Sequence, residues 1–203
     1  MHRGKIRKMF PGSNSAYGFY SFYDQIIEDS ASRIFVIKGG PGVGKSTFMQ
    51  NIARELIKKG RDAEFHCCSA DSSSLDGIVF PELQIACIDG TRPHVVDPKN
   101  PGAVDEIVNL GDFWDEAEVI ARREAILRSN RETARLYRRA YRYLASAKLF
   151  LDEIEDYYRE NRCLDVAGLD RLALQVIGEI FQGKVNSSGS ERRGRHLFVH
   201  AIT

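Results

Sequence analysis

Apolar positions along the chain change period twice. Arg33-Ile34-Phe35-Val36-Ile37-Lys38 is a short β-branched and aromatic run that predicts a buried strand. Over residues 45–59, Phe48, Ile52, Leu56 and Ile57 recur at helical spacing, and Gly60 supplies a stop. A second strand is predicted at Ala63-Glu64-Phe65-His66-Cys67-Cys68-Ser69, followed by a loop with Asp71 and the serines Ser72 to Ser74. A third strand, Leu83-Gln84-Ile85-Ala86-Cys87-Ile88, ends in Asp89-Gly90-Thr91. Residues 91–102 carry Pro93, Pro98, Pro101 and Gly102 and read as a long loop. From about Val104 to Gln182 the period becomes helical, with helices near 113–129, 131–162 and 164–182. Along the middle one, Tyr137, Tyr141, Leu144, Leu151, Ile154 and Tyr158 form a stripe that predicts a neighbouring helix.

The two ends fit less regular structure. The first thirty residues are aromatic and loop-like, with a cluster from Tyr17 to Tyr23 suited to stacking on a base or to packing on a sheet edge. Lys184 to Arg195 is polar and reads as a flexible loop, and His196 to Ile202 is apolar enough for a last strand. An apolar strand so close to the end suggests a chain cut from something longer. Arg195-His196-Leu197-Phe198 faintly repeats Arg7-Lys8-Met9-Phe10, as the opening of a second copy would. The expected organisation is a core of residues 1–103 and 196–203, a helical insertion or lid at 104–183, and a loop at 184–195.

Composition narrows the class. At 203 residues, one well-buried α/β domain with a helical annex is affordable. Lys plus Arg total 29 against 28 acids, so net charge calls for neither nucleic acid nor a membrane surface. No apolar run approaches the roughly 18 residues of a membrane span. His2 to Lys8 is basic with no apolar stretch behind it, unlike a signal peptide. These features predict a cytoplasmic protein. The four cysteines, Cys67, Cys68, Cys87 and Cys163, include no Cys-x-x-Cys spacing, which disfavours a zinc site and predicts reduced core thiols.

The chemistry concentrates between the first predicted strand and helix. Gly39-Gly40-Pro41-Gly42-Val43-Gly44-Lys45-Ser46 matches the phosphate-binding P-loop pattern, with Thr47 following. Glycines let consecutive backbone N–H groups turn toward a polyphosphate. Lys45 offers a charge to the outer phosphates, the Ser46 hydroxyl a ligand to magnesium, and the helix N-terminus its positive dipole. Asp89 ends an apolar strand at the carboxyl edge of the sheet, where it is placed to hold the same magnesium. Its neighbour is Gly90 rather than a water-activating glutamate, and no Asn-Lys-x-Asp run signals guanine, so ATP is the expected nucleotide. If the phosphate acceptor is a substrate hydroxyl, Asp71 is the candidate to orient it; as a helix cap it would need no such role. Glu82 and His66 are weaker candidates of that kind.

Residues 122–142 hold eight arginines against two glutamates. Arg128, Arg131, Arg135, Arg138 and Arg142 form one basic helix face. Such a face suits a lid whose arginine, Arg138 for instance, covers the phosphates. It also suits a nucleic-acid or acidic-protein surface, or a solvated face balanced by nearby acids. Arg192, Arg193 and Arg195 form a second basic patch.

Several segments together carry a resemblance: Phe10-Pro11-Gly12-Ser13-Asn14-Ser15, the loop from Gly39 to Thr47, Cys68-Ser69-Ala70-Asp71-Ser72, Ile88-Asp89-Gly90-Thr91-Arg92-Pro93-His94 and Leu110-Gly111-Asp112-Phe113-Trp114. Over nearly its whole length the chain resembles the first unit of a family of uncharacterised bacterial tandem P-loop ATPases, described as nucleotide-kinase-like. The resemblance implies an α/β fold with a three-layer core and a mostly parallel sheet. It also implies ATP and Mg2+ as cofactors, with no established substrate. Three functions stay open: an ATPase or ATP-driven switch reporting to a protein partner, a small-molecule or nucleotide kinase, and a non-catalytic half of a tandem protein.

Overall fold

The computed structural model describes residues 3–28, 30–92, 94–181 and 194–202. The chain forms β1 (Ile6–Met9), β2 (Gly12–Ser15), β3 (Gly18–Ser21), β4 (Arg33–Lys38), α1 (Lys45–Lys58), β5 (Ala63–Cys67), β6 (Leu75–Phe80), β7 (Ile85–Asp89) and β8 (Asp105–Asn109). It continues with α2 (Glu116–Ala121), α3 (Arg123–Glu160) and α4 (Val166–Phe181). Six strands make one sheet in the order β1-β5-β6-β7-β4-β8, and β2 pairs with β3 in a separate hairpin. Only β6 runs against the other five strands of the sheet. The fold is α/β with a mostly parallel sheet.

The sheet is buried on both faces by different means. On one, Met49, Ala53 and Ile57 of α1, spaced four apart, pack on Ile37, Ile78, Phe80 and Cys87. The buried stripe is therefore shifted from the one expected: Ile52 and Leu56 flank it, and Phe48 is exposed. On the other face Val79, Ala86 and Ile88 are covered by Tyr23 and Ile26, from a short 3-10 turn at Tyr23–Gln25 and the residues after it. Among the described residues this second face carries no α-helical layer, which departs from the three-layer expectation. The aromatic start of the chain has taken that place.

β6 was not anticipated. It is held by a tight return through Pro81, where Leu83 N–H donates to the Phe80 carbonyl and Gln84 turns at φ 55°. All six of its residues are buried. A strand buried on both faces lacks the alternation that marks a half-exposed one. The strand predicted from Leu83 accordingly begins at Ile85.

The helical region begins later than its composition suggests. Residues 105–109 pair in parallel with β4 as the sheet edge, with Val108 against the core. α3 then runs for 38 residues, roughly 57 Å at 1.5 Å per residue, and buries none of them fully. Its tyrosine stripe meets β2 rather than a helix: Tyr141 Oη donates to Asn14 Oδ1 at 2.9 Å. Asn14 Nδ2 in turn donates to the Ser69 carbonyl at 3.1 Å, so one side chain ties the helix to the loop after β5.

The predicted final strand reduces to single bridges, Phe10 with Phe198 and Asn14 with Ile202. Phe198 packs on Tyr20 and Phe22. Arg195 donates to both carboxylate oxygens of buried Glu64 at 2.9 Å and to the Ile26 carbonyl at 2.7 Å. The flexible loop expected at 184–195, with Arg192 and Arg193, otherwise lies outside the described residues. No helix of the described residues is long and apolar enough to cross a membrane.

Candidate functional site

Residues 39–44 form the turn between β4 and α1, at the carboxyl edge of the sheet. Gly42 and Gly44 sit at φ 81° and 94°, a left-handed region costly for any side chain. Gly44 is also the N-cap of α1, so the helix starts from a conformation that glycine permits. Gly40 lies under the Trp114 ring, which is 3.0 Å from where a Cβ on Gly40 would stand. The single tryptophan of the chain thus rests on the loop.

Lys45 opens α1 and is buried. Its Nζ donates to the Gly39 carbonyl at 2.7 Å and the Gly40 carbonyl at 3.0 Å, and stands 3.5 Å from Asp89 Oδ2. An ammonium held this way closes the loop on itself and neutralises Asp89. Ser46 Oγ accepts from Leu75 N–H at 2.9 Å and from Gln50 Nε2 at 3.2 Å, which couples α1 to the start of β6. Asp89 ends β7 as predicted, and its Oδ1 accepts from the Thr91 N–H and hydroxyl.

The residue after Asp89 is glycine for a steric reason. A Cβ on Gly90 would fall 2.5 Å from Val36 Cγ1 and 2.8 Å from the Val96 carbonyl. No glutamate fits there. Lys38 crosses the same spot, donating to the Gly90 and Val96 carbonyls at 2.9 and 2.7 Å, and so pins the following loop to β4.

Two further groups join Asp89 that the sequence pattern did not single out. His66 pairs with Gly77 and Cys67 with Leu75, so Asp76 is the extra residue of a β-bulge. Regular alternation would put Asp76 on the α1 face with Ile78 and Phe80; the bulge sends it to the opposite face. There Tyr23 Oη donates to Asp76 Oδ2 at 2.5 Å. Burial and the Asp76 charge push the Tyr23 phenol far above its ordinary pKa, so it remains a donor. His94, from the loop pinned by Lys38, stacks on Tyr23 with centroids 4.0 Å apart and planes 14° from parallel. Burial lowers the His94 pKa, with Lys45 acting in the same direction, against the pull of Asp76 and Asp89. Burial raises that of Asp76, opposed by His94. An acid in an unexpected strand followed by a glycine was the available signal for Asp76; His94 stood only as the last residue of a resemblance segment, with no chemistry attached to it.

The other predicted residues lie apart. Asp71 is exposed, and its Oδ1 accepts from the Ser73 N–H and hydroxyl, the turn-capping arrangement. Those bonds hold its carboxyl below the usual range. Arg138 is exposed on α3, as are Arg128, Arg131 and Arg142; Arg135 pairs with Glu132 one turn back. Burial raises the pKa of Tyr137 of the same helix, and the charges of Cys68 and Asp76 add to it. Glu82 pairs with Arg61 at the surface, and buried His66 lies 3.8 Å from Glu64.

A family model described as Nephrocystin 3, N-terminal, matches residues 20–79, a stretch from the aromatic cover of the sheet through the glycine loop and α1 to β6. No curated protein and no solved structure matches the chain.

Proposed function

We propose that the chain binds ATP with Mg2+ at the glycine loop and works as an ATPase or ATP-driven switch. The observation that carries this reading is the placement of Lys45, held over the loop by the Gly39 and Gly40 carbonyls and 3.5 Å from Asp89. An arriving polyphosphate offers the ammonium stronger, charge-assisted partners than two carbonyls. Lys45 then turns to the phosphates and Asp89 Oδ2 is released. The backbone N–H groups of residues 39–47, Pro41 excepted, and the N-terminus of α1 supply the rest of the anion cradle. Ser46 and Asp89 are the residues to hold magnesium, which neutralises phosphate charge when bound. Gln50 gives up its 3.2 Å contact with Ser46 in that event.

Asp71, spent on its own turn, lends the kinase reading no support. Tandem P-loop ATPases remain the family this reading fits, and the α3 contact through Tyr141 and Asn14 offers a route from the nucleotide to the long helix.

Titration of the chain with ATP, followed by Trp114 fluorescence, tests binding directly because the ring lies on Gly40. Saturable quenching or enhancement is expected, and no response in wild-type protein together with no retained nucleotide on a filter would refute the reading. ADP release measured with and without candidate acceptors then separates slow hydrolysis from acceptor-dependent transfer.

A further inference from the structure

The phosphate chemistry uses Asp89 but leaves its two polar neighbours, Asp76 and His94, without a task. Asp76, Asp89 and His94 are all buried and bring one potential ligand atom each within 4.8 Å of the others. The His94 side chain is 5% exposed, and among the described residues neither of its ring nitrogens has a hydrogen-bond partner. The nearest acid oxygen, Asp76 Oδ1, is 4.0 Å from His94 Nε2. A buried polar group left unpaired bears the full cost of its desolvation, so an orphan imidazole between two carboxylates needs an explanation.

The cluster is braced like a site. Tyr23 fixes Asp76 by its hydroxyl and His94 by its ring face. Thr91 fixes Asp89 through Oδ1, leaving Oδ2 beside Lys45. The bulge exists at Asp76, and Lys38 staples the loop that delivers His94. Partners that orient ligating side chains in this way are what a bound cation requires.

We infer that Asp76, Asp89 and His94 form a binding site for a divalent cation of the manganese type, through two carboxylate oxygens and one imidazole nitrogen. Magnesium prefers an all-oxygen shell and keeps its waters, whereas an imidazole in the donor set favours first-row transition ions. Bond lengths near 2.1 Å place neighbouring ligand atoms about 3 Å apart, so His94 Nε2 and Asp76 Oδ1, now 4.0 Å apart, draw together by about 1 Å on binding. The inference shares Asp89 with the nucleotide reading but does not depend on nucleotide. Phosphate binding that draws Lys45 from Asp89 would strengthen it.

The test uses the whole chain, stripped with EDTA and titrated with Mn2+ alone, followed by electron paramagnetic resonance with echo-modulation detection of bound nitrogen-14. One tightly bound Mn2+ with an imidazole coupling is expected. The coupling should vanish in His94→Gln, and affinity should fall at least about tenfold in His94→Gln and in Asp76→Asn. Mg2+ should displace Mn2+ only in large excess. Absence of bound Mn2+, a bound Mn2+ without nitrogen coupling, or full affinity in His94→Gln overturns the inference, and the coupling in wild-type protein needs no variant to fold. ATP titration with Mg2+ as the only added metal, read by Trp114, keeps the two readings separate. ATP binding without a Mn2+ site refutes only the cation, and nitrogen-coupled Mn2+ without any ATP response refutes only the nucleotide.

Discussion

At the scale of single residues, Gly90 decides more than its size suggests. The dipeptide Asp89-Gly90 reads in the sequence as a missing catalytic glutamate; the structure makes it a packing requirement, with Val36 and the Val96 carbonyl occupying the space of a side chain. Gly90→Ala should therefore cost about 1–3 kcal/mol in chemical denaturation, and an unchanged midpoint would show that the loop moves freely. Lys45→Ala tests a different residue with a different readout. Loss of charge-assisted bonds worth about 1.5–3 kcal/mol should weaken ATP at least tenfold by equilibrium binding. Lys45 and Asp89 were legible because local pattern sets them: a glycine loop, and the end of an apolar strand. Asp76 and His94 were not, since a bulge defined by a partner strand and a loop stapled by Lys38 are long-range facts. Asp71 was legible only as two alternatives, a substrate-orienting group or a helix cap, and its bonds to Ser73 instead hold a turn that leads into β6.

Among elements, the same division holds. β4, α1, β5 and β7 carry clear periods and were found with small errors at their ends. β6 and β8 were missed because one is buried on both faces and the other is a polar edge strand within a helix-rich stretch, and β1, β2 and β3 because the start of the chain reads as a loop though it holds three four-residue strands. The link between β5 and the end of the chain was beyond reach, as it joins positions 131 apart through Glu64 and Arg195. Burial alone would raise the Glu64 pKa, but the neighbouring His66 and Arg195 outweigh it and hold it below 4.5. A carboxyl depressed in the folded state contributes stability that is full above its unfolded value and fades as pH falls through the folded one. Thermal melts from pH 7 down to 3 should thus lose stability below about 4.5, and Arg195→Ala should flatten that loss. Arg195→Ala should also lower stability at pH 7 by about 1–3 kcal/mol, by leaving Glu64 buried without its main partner. A parallel pH profile in wild type and variant would disprove the assignment.

For the whole molecule, the contrast is between a dense sheet and a long helical arm. β4 to β7 and α1 supply almost every fully buried apolar side chain, whereas α3 and α4 bury none completely. α3 is anchored near its middle by Tyr141 on Asn14, and beyond that point Leu149, Phe150, Leu151 and Ile154 are exposed, as are Leu169, Leu172, Ile177 and Ile180 of α4. Helices without a packed face draw little from tertiary burial, and local opening then needs far less free energy than global unfolding. Amide hydrogen exchange should therefore fall into two classes, with β4, β6 and β7 slow and the distal half of α3 and α4 orders of magnitude faster. Tyr141→Phe removes the anchoring hydroxyl and should speed exchange along the middle of α3, with the sheet unaffected. If the arm instead exchanges as slowly as the sheet in dilute chain, its apolar surface is covered by something beyond these contacts. Repeating the measurement over a range of concentrations tells whether that cover is a second copy, because only then does protection rise with concentration.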